Sequence, residues 1–428
     1  MKPRVFALVD CNNFYVSCER LFCAELRDRP VIVLSNNDGC VVARSKEAKA
    51  LGIAMGQPLF QCQKLIEKHQ VAVYSSNYAL YQELSDRVMA VLKRFTPARE
   101  VYSIDEAWLD LSHVPSDKLE RYGQQIRQRV LQETGIPVSV GIAPTKTLSK
   151  VACELVKRHG MFSGVLNMLP WPEKECDAWL AGIHVGDVWG IGPQLSRKLK
   201  ARGIHSARAL KQADHIWIRH YLNVTAQRAV LELQGISCLP VQTHTKPRKG
   251  IMVSLAFGRA VEELDELEEA IATYAASAAE TLRRQRSLAT QVSVFLQTNP
   301  FERRTPQYAM SASASLPLAS AFTPDFLDLA LALLHTIYQP GYRYKRTGIY
   351  LTQIRPQYVV QSDLFGIFSP EAFARQMHLM ATIDELNRYW GRNMLSFGTQ
   401  IGRRDWFMQQ TRRSQRFTTR WEEIFTVS

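Results

Sequence analysis

No apolar run in this chain of 428 residues reaches the roughly 18 residues that a membrane-spanning helix needs. The opening MKPRVFALVDCNNFY has a short apolar run that meets an acid at Asp10 and no small-residue cleavage pattern, so it is not expected to be a secretory signal. The eight cysteines, at positions 11, 18, 23, 40, 62, 153, 176 and 238, include no Cys-x-x-Cys pair. That argues against a zinc site and predicts reduced, packed thiols in a cytoplasmic protein. Short-period repeats and low-complexity tracts are also missing. Acids are the scarcer charge: 40 Asp plus Glu face 53 Lys plus Arg, a formal net charge of +13. Such an excess favours a polyanionic partner: DNA, RNA or an anionic membrane surface. With 46% hydrophobic and 22% charged residues the chain can build real cores, and its length predicts two to four domains.

What is present reads first as strands and helices in alternation. RVFALVD is a strand-like run ending on Asp10, and NNFYVSCERLF turns into a helix. PVIVLS and CVVARS are strand-like runs joined by NNDG, a hairpin signal. SKEAKALGI predicts a helix entered at Ser45 and stopped at Gly52. Tyr78 to Phe95 and Leu119 to Thr134 predict longer helices, and PVSVGIA a strand feeding the helix TKTLSKVACELVKRH. This order predicts α+β architecture, a sheet with helices on one face. A glycine-broken helical stretch follows, with almost no strand signal, and then PVQTHTKPRKG, which reads as a linker. Beyond it a β-α-β-β-α-β order begins at MVSLAFGRA, and the last residues hold a helix around Pro370 to Trp390 and the basic tail GRRDWFMQQTRRSQRFTTRWEEI.

VYSIDEAWLDLS places Asp105 beside Glu106 inside strand-like sequence. A hairpin is expected there: YSID, a bend at Glu106-Ala107, then WLDL. Taken alone the acid pair reads as an exposed turn. If the strand ending on Asp10 is a neighbour, three carboxylates meet at one rim, and hard divalent ions relieve their repulsion. Two Mg²⁺ ions about 3.5–4 Å apart stabilise both the attacking and the leaving oxygens of a phosphoryl displacement. Lys49, in SKEAK, and Lys150, in TKTLSK, are cations that could fold toward a triphosphate at that rim, with Arg44 and Lys46 near in sequence. The other reading of Lys46 and Lys49 is a solvated helix face. Phe14 and Tyr15 either abut a sugar or base or pack in the core. In HVGDVWGIGPQLSRKLKARGI, two helices joined at Gly190-Ile191-Gly192, with Pro193 opening the second, fit a helix-hairpin-helix. Val185, Val188, Ile191, Leu195, Leu199 and Ile204 supply its apolar frame. Such a hairpin offers backbone N–H groups to a DNA phosphate; a plain helical turn is the alternative.

Asp10 followed five residues later by an aromatic, then ARSKEAKALGI, YSIDEAWLDLS and SVGIAPTKTLSKVA, in this order and spacing, resemble the Y-family of DNA polymerases. WGIG, the late β-α-β-β-α-β module and WFMQQTRRSQRFTTRWEEIF resemble its UmuC branch, and the resemblance covers essentially the whole chain. It implies an α+β, multidomain right-hand polymerase. The palm would be 1–12 and 77–166, the small fingers 13–76, the helical thumb 167–240 and the basic linker 241–250. A little finger at 251–356 and a clamp- and partner-binding region at 357–428 would follow. The implied activity is DNA-directed DNA polymerisation: error-prone translesion synthesis in the SOS response, adding dNTPs to a primer 3′-hydroxyl on damaged DNA.

By the same resemblance, Asp10 and Asp105 would hold both Mg²⁺ ions, Glu106 the ion that activates the 3′-hydroxyl, and Cys11 would lend its main-chain carbonyl. Tyr15 would be the steric gate under the sugar, and Lys49 and Lys150 would bind triphosphate. Lys46 stands where the family commonly has tyrosine and Lys49 where it commonly has arginine, which puts the individual phosphate contacts in question. Gln361-Ser362-Asp363-Leu364-Phe365 resembles the peptide by which polymerases dock on the sliding clamp, with Leu364 and Phe365 entering an apolar pocket and Gln361 making the polar contact. Its bland alternative is a loop. A UmuD-type accessory dimer and a recombinase (RecA) filament are further implied partners, and no membrane is. Two rival classes explain less: a DNA-binding scaffold has no use for the three acids, and a nucleotide cyclase leaves thumb, linker and tail unexplained.

Overall fold

In a computed structural model, which describes residues 4–244, 246–302, 304–358, 369–391, 393–402 and 405–424, the run FALVDC forms strand β1 (Phe6–Cys11), buried along its whole length. A strand with both faces buried needs cover on both sides. The elements that follow are α1 (Phe14–Phe22), β2 (Val31–Leu34), β3 (Val41–Arg44), α2 (Lys46–Ala50), α3 (Leu59–His69), β4 (Ala72–Ser75) and α4 (Tyr78–Leu92). Next come β5 (Arg99–Val101), β6 (Glu106–Asp110), α5 (Leu119–Thr134), β7 (Val138–Ala143), α6 (Lys146–Arg158) and β8 (Val165–Asn167). One sheet runs β5-β6-β1-β7-β8, and a smaller one β3-β2-β4.

Successive β1 side chains point to opposite faces. Ala7 and Val9 join the core with Leu84 and Val88 of α4 and Ile126 and Val130 of α5. Leu8 packs on the other face with Trp108 and with Cys153 of α6. Helices therefore cover both faces of this sheet, not one as the alternation suggested; α6 supplies the second layer. Gly141 lets it lie close, since a Cβ there would sit 2.3 Å from the Ser149 carbonyl and the Cys153 amide. Side-chain caps start the helices where the sequence placed them: Ser45 Oγ accepts from Ala48 N, Asn77 Oδ1 from Leu80 N and Thr145 Oγ1 from Leu148 N.

The chain divides into two units, one of Met1–Ser35, Gly39–Thr245 and Arg412–Ser428, the other of Asn36–Asp38 and Lys246–Thr411. The first also contains α7 (Glu173–Ala181), α8 (Pro193–Lys200), α9 (Ala207–Lys211), α10 (His215–Tyr221) and α11 (Val224–Leu233), gathered on an apolar core that they share with α6 and β8. In the second, β9 (Ile251–Val261), α12 (Leu264–Arg284), β10 (Ser287–Thr298), β11 (Ala309–Ser320), α13 (Thr323–Ile337) and β12 (Tyr344–Thr352) follow the expected β-α-β-β-α-β order. Their antiparallel sheet runs β11-β10-β12-β9. α14 (Pro370–Trp390) is tied to α12 by the two-pronged pair of Arg283 with Asp384, at 2.7 Å. No helix among the described residues is long and apolar enough to cross a membrane.

Candidate active site

Antiparallel register between β1 and β6 sets Asp10 directly opposite Glu106. The chain bends before Glu106, not after it as the sequence implied. The amides of Tyr102 and Ser103 both donate to the Glu106 carbonyl, at 3.1 and 3.2 Å. Ser103 Oγ accepts from the Glu106 amide at 3.1 Å and donates to Asp105 Oδ1 at 2.6 Å. The Asp105 carbonyl in turn accepts from the Cys11 amide at 2.8 Å, which ties this turn to the end of β1. Asp105 thus sits at the tip of the bend and Glu106 is the first residue of the strand.

The acids are met by two lysines of α6. Lys150 Nζ lies 2.7 and 2.9 Å from the two Glu106 oxygens and 5.4 Å from the centre of the Tyr102 ring. Lys157 Nζ lies 2.6 Å from Asp10 Oδ2. Burial pushes the Asp10 carboxyl up to about 7, against the pull of Lys157, and its hydrogen bond with Glu106 adds to the rise. Burial also acts to raise Glu106, but the bonds from Asp10 and Lys150 outweigh it and hold that carboxyl below its ordinary value. Asp10 and Glu106 are thus close enough for each to shift the titration of the other. Lys157 escaped the sequence reading. The signal was there: it stands seven residues beyond Lys150, two helical turns along the same face.

In front of the acids opens a cleft lined by Asp10, Cys11, Asp105, Tyr15, Arg44 and Lys49, with Phe14 and Lys157 also on its wall. Asn13, at φ 46 and ψ 48, turns the chain out of β1 and starts α1, so that Phe14 and Tyr15 return to the cleft. Phe14 is buried in the core as well as bordering the cleft, so both of its readings describe the same residue. Tyr15 is half-buried and stacks on Tyr81 with ring centres 4.4 Å apart and planes 15° apart. Lys49 and Arg44 add positive charge to the lining of the cleft. Lys150 does not line this cleft; it is engaged by Glu106. Lys46 is exposed and is not on the wall either.

Among the described residues no three His, Cys, Asp or Glu side chains form a ready-made cage for an ion. Asp10, Asp105 and Glu106 adjoin one rim, but each is held by its own partner: Lys157, Ser103 and Lys150. The donor set nevertheless fits a hard divalent cation. It is all carboxylate, one member is buried with a raised pKa, and two ammonium groups already answer its charge.

Farther along the same unit, Gly190 adopts φ +90°, a conformation that glycine takes without strain. Gly192 then caps α8, with Pro193 in its first turn and no side chain bonded to the cap. Val185, Val188, Ile191 and Leu199 are buried beneath this loop, and Leu195 and Ile204 partly so. The element before the hairpin is a single 3₁₀ turn, Val185–Asp187, and not the full helix expected. Glycines at 182, 186 and 190 recur too closely for a longer helix. Gln361, Leu364 and Phe365 lie outside the described residues.

The fold is that of a template-copying polymerase, and comparison with known proteins gives the same class. A solved structure titled Y-family DNA polymerase chimera Dbh-Dpo4(243-245)-Dbh shares the fold with a TM-score of 0.65 at 20% identity, covering 82% of this chain and 99% of that one. Residues 9–154 match the impB/mucB/samB family, 248–364 its C-terminal domain, and 377–427 a domain of unknown function (DUF4113). Protein ImpB of Salmonella typhimurium is 41% identical over 423 residues, 98% of this chain and 99% of that one. Protein UmuC of Salmonella typhimurium strain LT2 is 39% identical over 425 residues, 99% and 100% of the two chains. The chain belongs to the impB/mucB/samB family, the UmuC group of Y-family DNA polymerases, whose work is error-prone translesion synthesis.

Proposed function

We propose that this chain lengthens a primer on damaged DNA: the deprotonated 3′-oxygen bonds to the α-phosphorus of an incoming dNTP as the bond to the β-phosphate oxygen breaks and pyrophosphate leaves, with Asp10, Asp105 and Glu106 as the catalytic carboxylates. The observation that carries this reading is the register of β1 against β6, which sets Asp10 opposite Glu106 at the rim of a cleft shared with Asp105, Tyr15 and Lys49. Asp10 and Asp105 would hold two Mg²⁺ ions, Glu106 one of them, with the Cys11 main-chain carbonyl as a further oxygen. When bound, those ions stabilise charge on the attacking and leaving oxygens. The protein's part is to position the reactants. Tyr15 presents its ring where a ribose 2′-hydroxyl would strike it, and Phe14 backs that wall. Lys49, helped by Arg44, draws the triphosphate into the cleft, and Lys150 adds a cation from the Glu106 side.

The Gly190–Gly192 loop, at the N-terminus of α8, offers amides to a DNA phosphate without reading sequence. In this reading Gln361, Leu364 and Phe365 dock the sliding clamp, and a UmuD-type dimer and a RecA filament assist the enzyme during the SOS response in the cytoplasm. The test is extension of a primed template across an abasic site. Wild-type chain should extend it, while Asp105→Asn should lose at least about a thousandfold in rate, roughly 4 kcal/mol of barrier, and keep its DNA affinity. Comparable extension by Asp105→Asn would refute the assignment.

A further inference from the structure

The C-terminal segment that follows Thr411 belongs to the same unit as the cleft and is seated on it. The Arg412 amide donates to Ser75 Oγ at 3.0 Å and the Arg412 carbonyl accepts from the Ser75 amide at 3.0 Å, so the segment pairs with the end of β4. Asn77, buried at the start of α4, directs its side-chain amide at the Ser414 carbonyl (3.0 Å), Ser414 Oγ (3.0 Å) and the Gln415 carbonyl (3.1 Å). Phe417 stacks on Phe22 of α1, ring centres 4.7 Å apart.

Between these anchors lies a buried carboxylate. Glu19, 2% exposed, accepts at one oxygen, Oε1, from both Ser414 Oγ (3.0 Å) and the Tyr81 hydroxyl (2.6 Å). Tyr81 is fully buried, and its ring is the one stacked on Tyr15, with Tyr78 edge-on to both. A continuous set of contacts runs from the tail through Glu19 and Tyr81 to the residue assigned as the sugar gate. A buried acid needs its donors. If Ser414 leaves, Glu19 keeps Tyr81 alone, and the stacked rings lose the fixed point that sets their position.

We propose that Arg412–Phe417 is a built-in brace for the gate, with Ser414 and Glu19 as positioning residues that hold Tyr81, and through it Tyr15, at the height that excludes a ribose. This rests on the reading of Tyr15 as the gate. The segment lies within the stretch that matches a domain of unknown function.

The experiment compares kcat/KM for a dNTP and for the corresponding rNTP in the full chain, in Ser414→Ala/Phe417→Ala, in Tyr15→Ala, and in all three substitutions combined. A merely destabilised protein loses both activities equally and keeps their ratio. The brace predicts a roughly tenfold fall in the deoxy-to-ribo ratio for the tail variant, below the hundredfold that a misplacement of about 1 Å can cost. It also predicts no further fall when the tail substitutions are added to Tyr15→Ala. An unchanged ratio in the tail variant, alongside a lowered one in Tyr15→Ala, overturns the brace and leaves the gate standing. An unchanged ratio in Tyr15→Ala itself overturns both. Should the tail variant fail to fold, Tyr81→Phe, which keeps the ring and removes only its bond to Glu19, undergoes the same test with the same outcomes.

Discussion

Lys157 Nζ lies 2.6 Å from Asp10 Oδ2, at the end of a strand that is otherwise apolar. The ammonium answers a carboxyl that burial would otherwise leave uncompensated. Lys157→Ala should therefore lower unfolding stability by about 1–3 kcal/mol, less than the roughly 3–5 kcal/mol of a fully buried broken pair because the lysine is one-third exposed. The same substitution removes a cation that would compete with the proposed Mg²⁺ for Asp10. Added MgCl₂ should then raise the Tm of Lys157→Ala more than that of the wild type. Equal shifts would show that Lys157 and the metal do not share Asp10.

Tyr15 is held against Tyr81 and borders the cleft beside Asp10 and Asp105. In the proposed gate role, its replacement with alanine would open space for a 2′-hydroxyl. Tyr15→Ala should raise rNTP incorporation relative to dNTP by at least about tenfold, the lower bound of what one steric group contributes to discrimination. Single-nucleotide insertion with matched dNTP and rNTP measures this directly.

Glu19 provides a pH signature away from the acids of the cleft. Burial lifts its carboxyl from 4.5 to about 7, against the bonds from Tyr81 and Ser414. Between those values the folded protein holds a proton that the unfolded chain has released. The contribution of Glu19 to stability is therefore full below about 4.5 and is lost as pH rises through about 7. Glu19→Gln removes this slope, so the variant should gain on the wild type by about 3 kcal/mol across that window. Urea unfolding midpoints at a series of pH values give the comparison, and parallel pH profiles for the two proteins would contradict it.

DNA binding should weaken steeply with salt, since the chain carries a formal +13 and the loop proposed to meet DNA offers it only backbone amides. Log affinity should fall with log salt at a slope near −0.9 per phosphate neutralised, about a thousandfold between 50 and 200 mM for six contacts. Fluorescence anisotropy with two unrelated duplex sequences should give the same slope for both.

The acid pair alone reads as an exposed turn, and it stood out only together with Asp10, SKEAKALGI and TKTLSK in their order and spacing. A buried-looking strand that ends on Asp10 and a second that carries Asp105 and Glu106 need a shared reason for their charge. The bend between them was misplaced because no glycine, proline or asparagine marks it; Ser103 makes the turn by bonding its own side chain to the next amides. Lys150 was expected at the triphosphate and is found on Glu106, since a sequence cannot say which anion a flexible cation will meet first. Glu19 and Ser414 could not have been joined from the sequence at all. They stand 395 residues apart, and neither belongs to a periodic pattern that would bring them together.

The order of residues along the chain by itself determined the α+β class, the alternation of strands and helices and the types of charge that meet at the cleft, because period, capping and charge type are local properties. Tertiary structure alone decided which lysine meets which acid, that helices cover both faces of the sheet, and that the tail closes over Glu19. Those outcomes depend on strand register and on distant surfaces being brought within bonding distance, and no short window of sequence contains either.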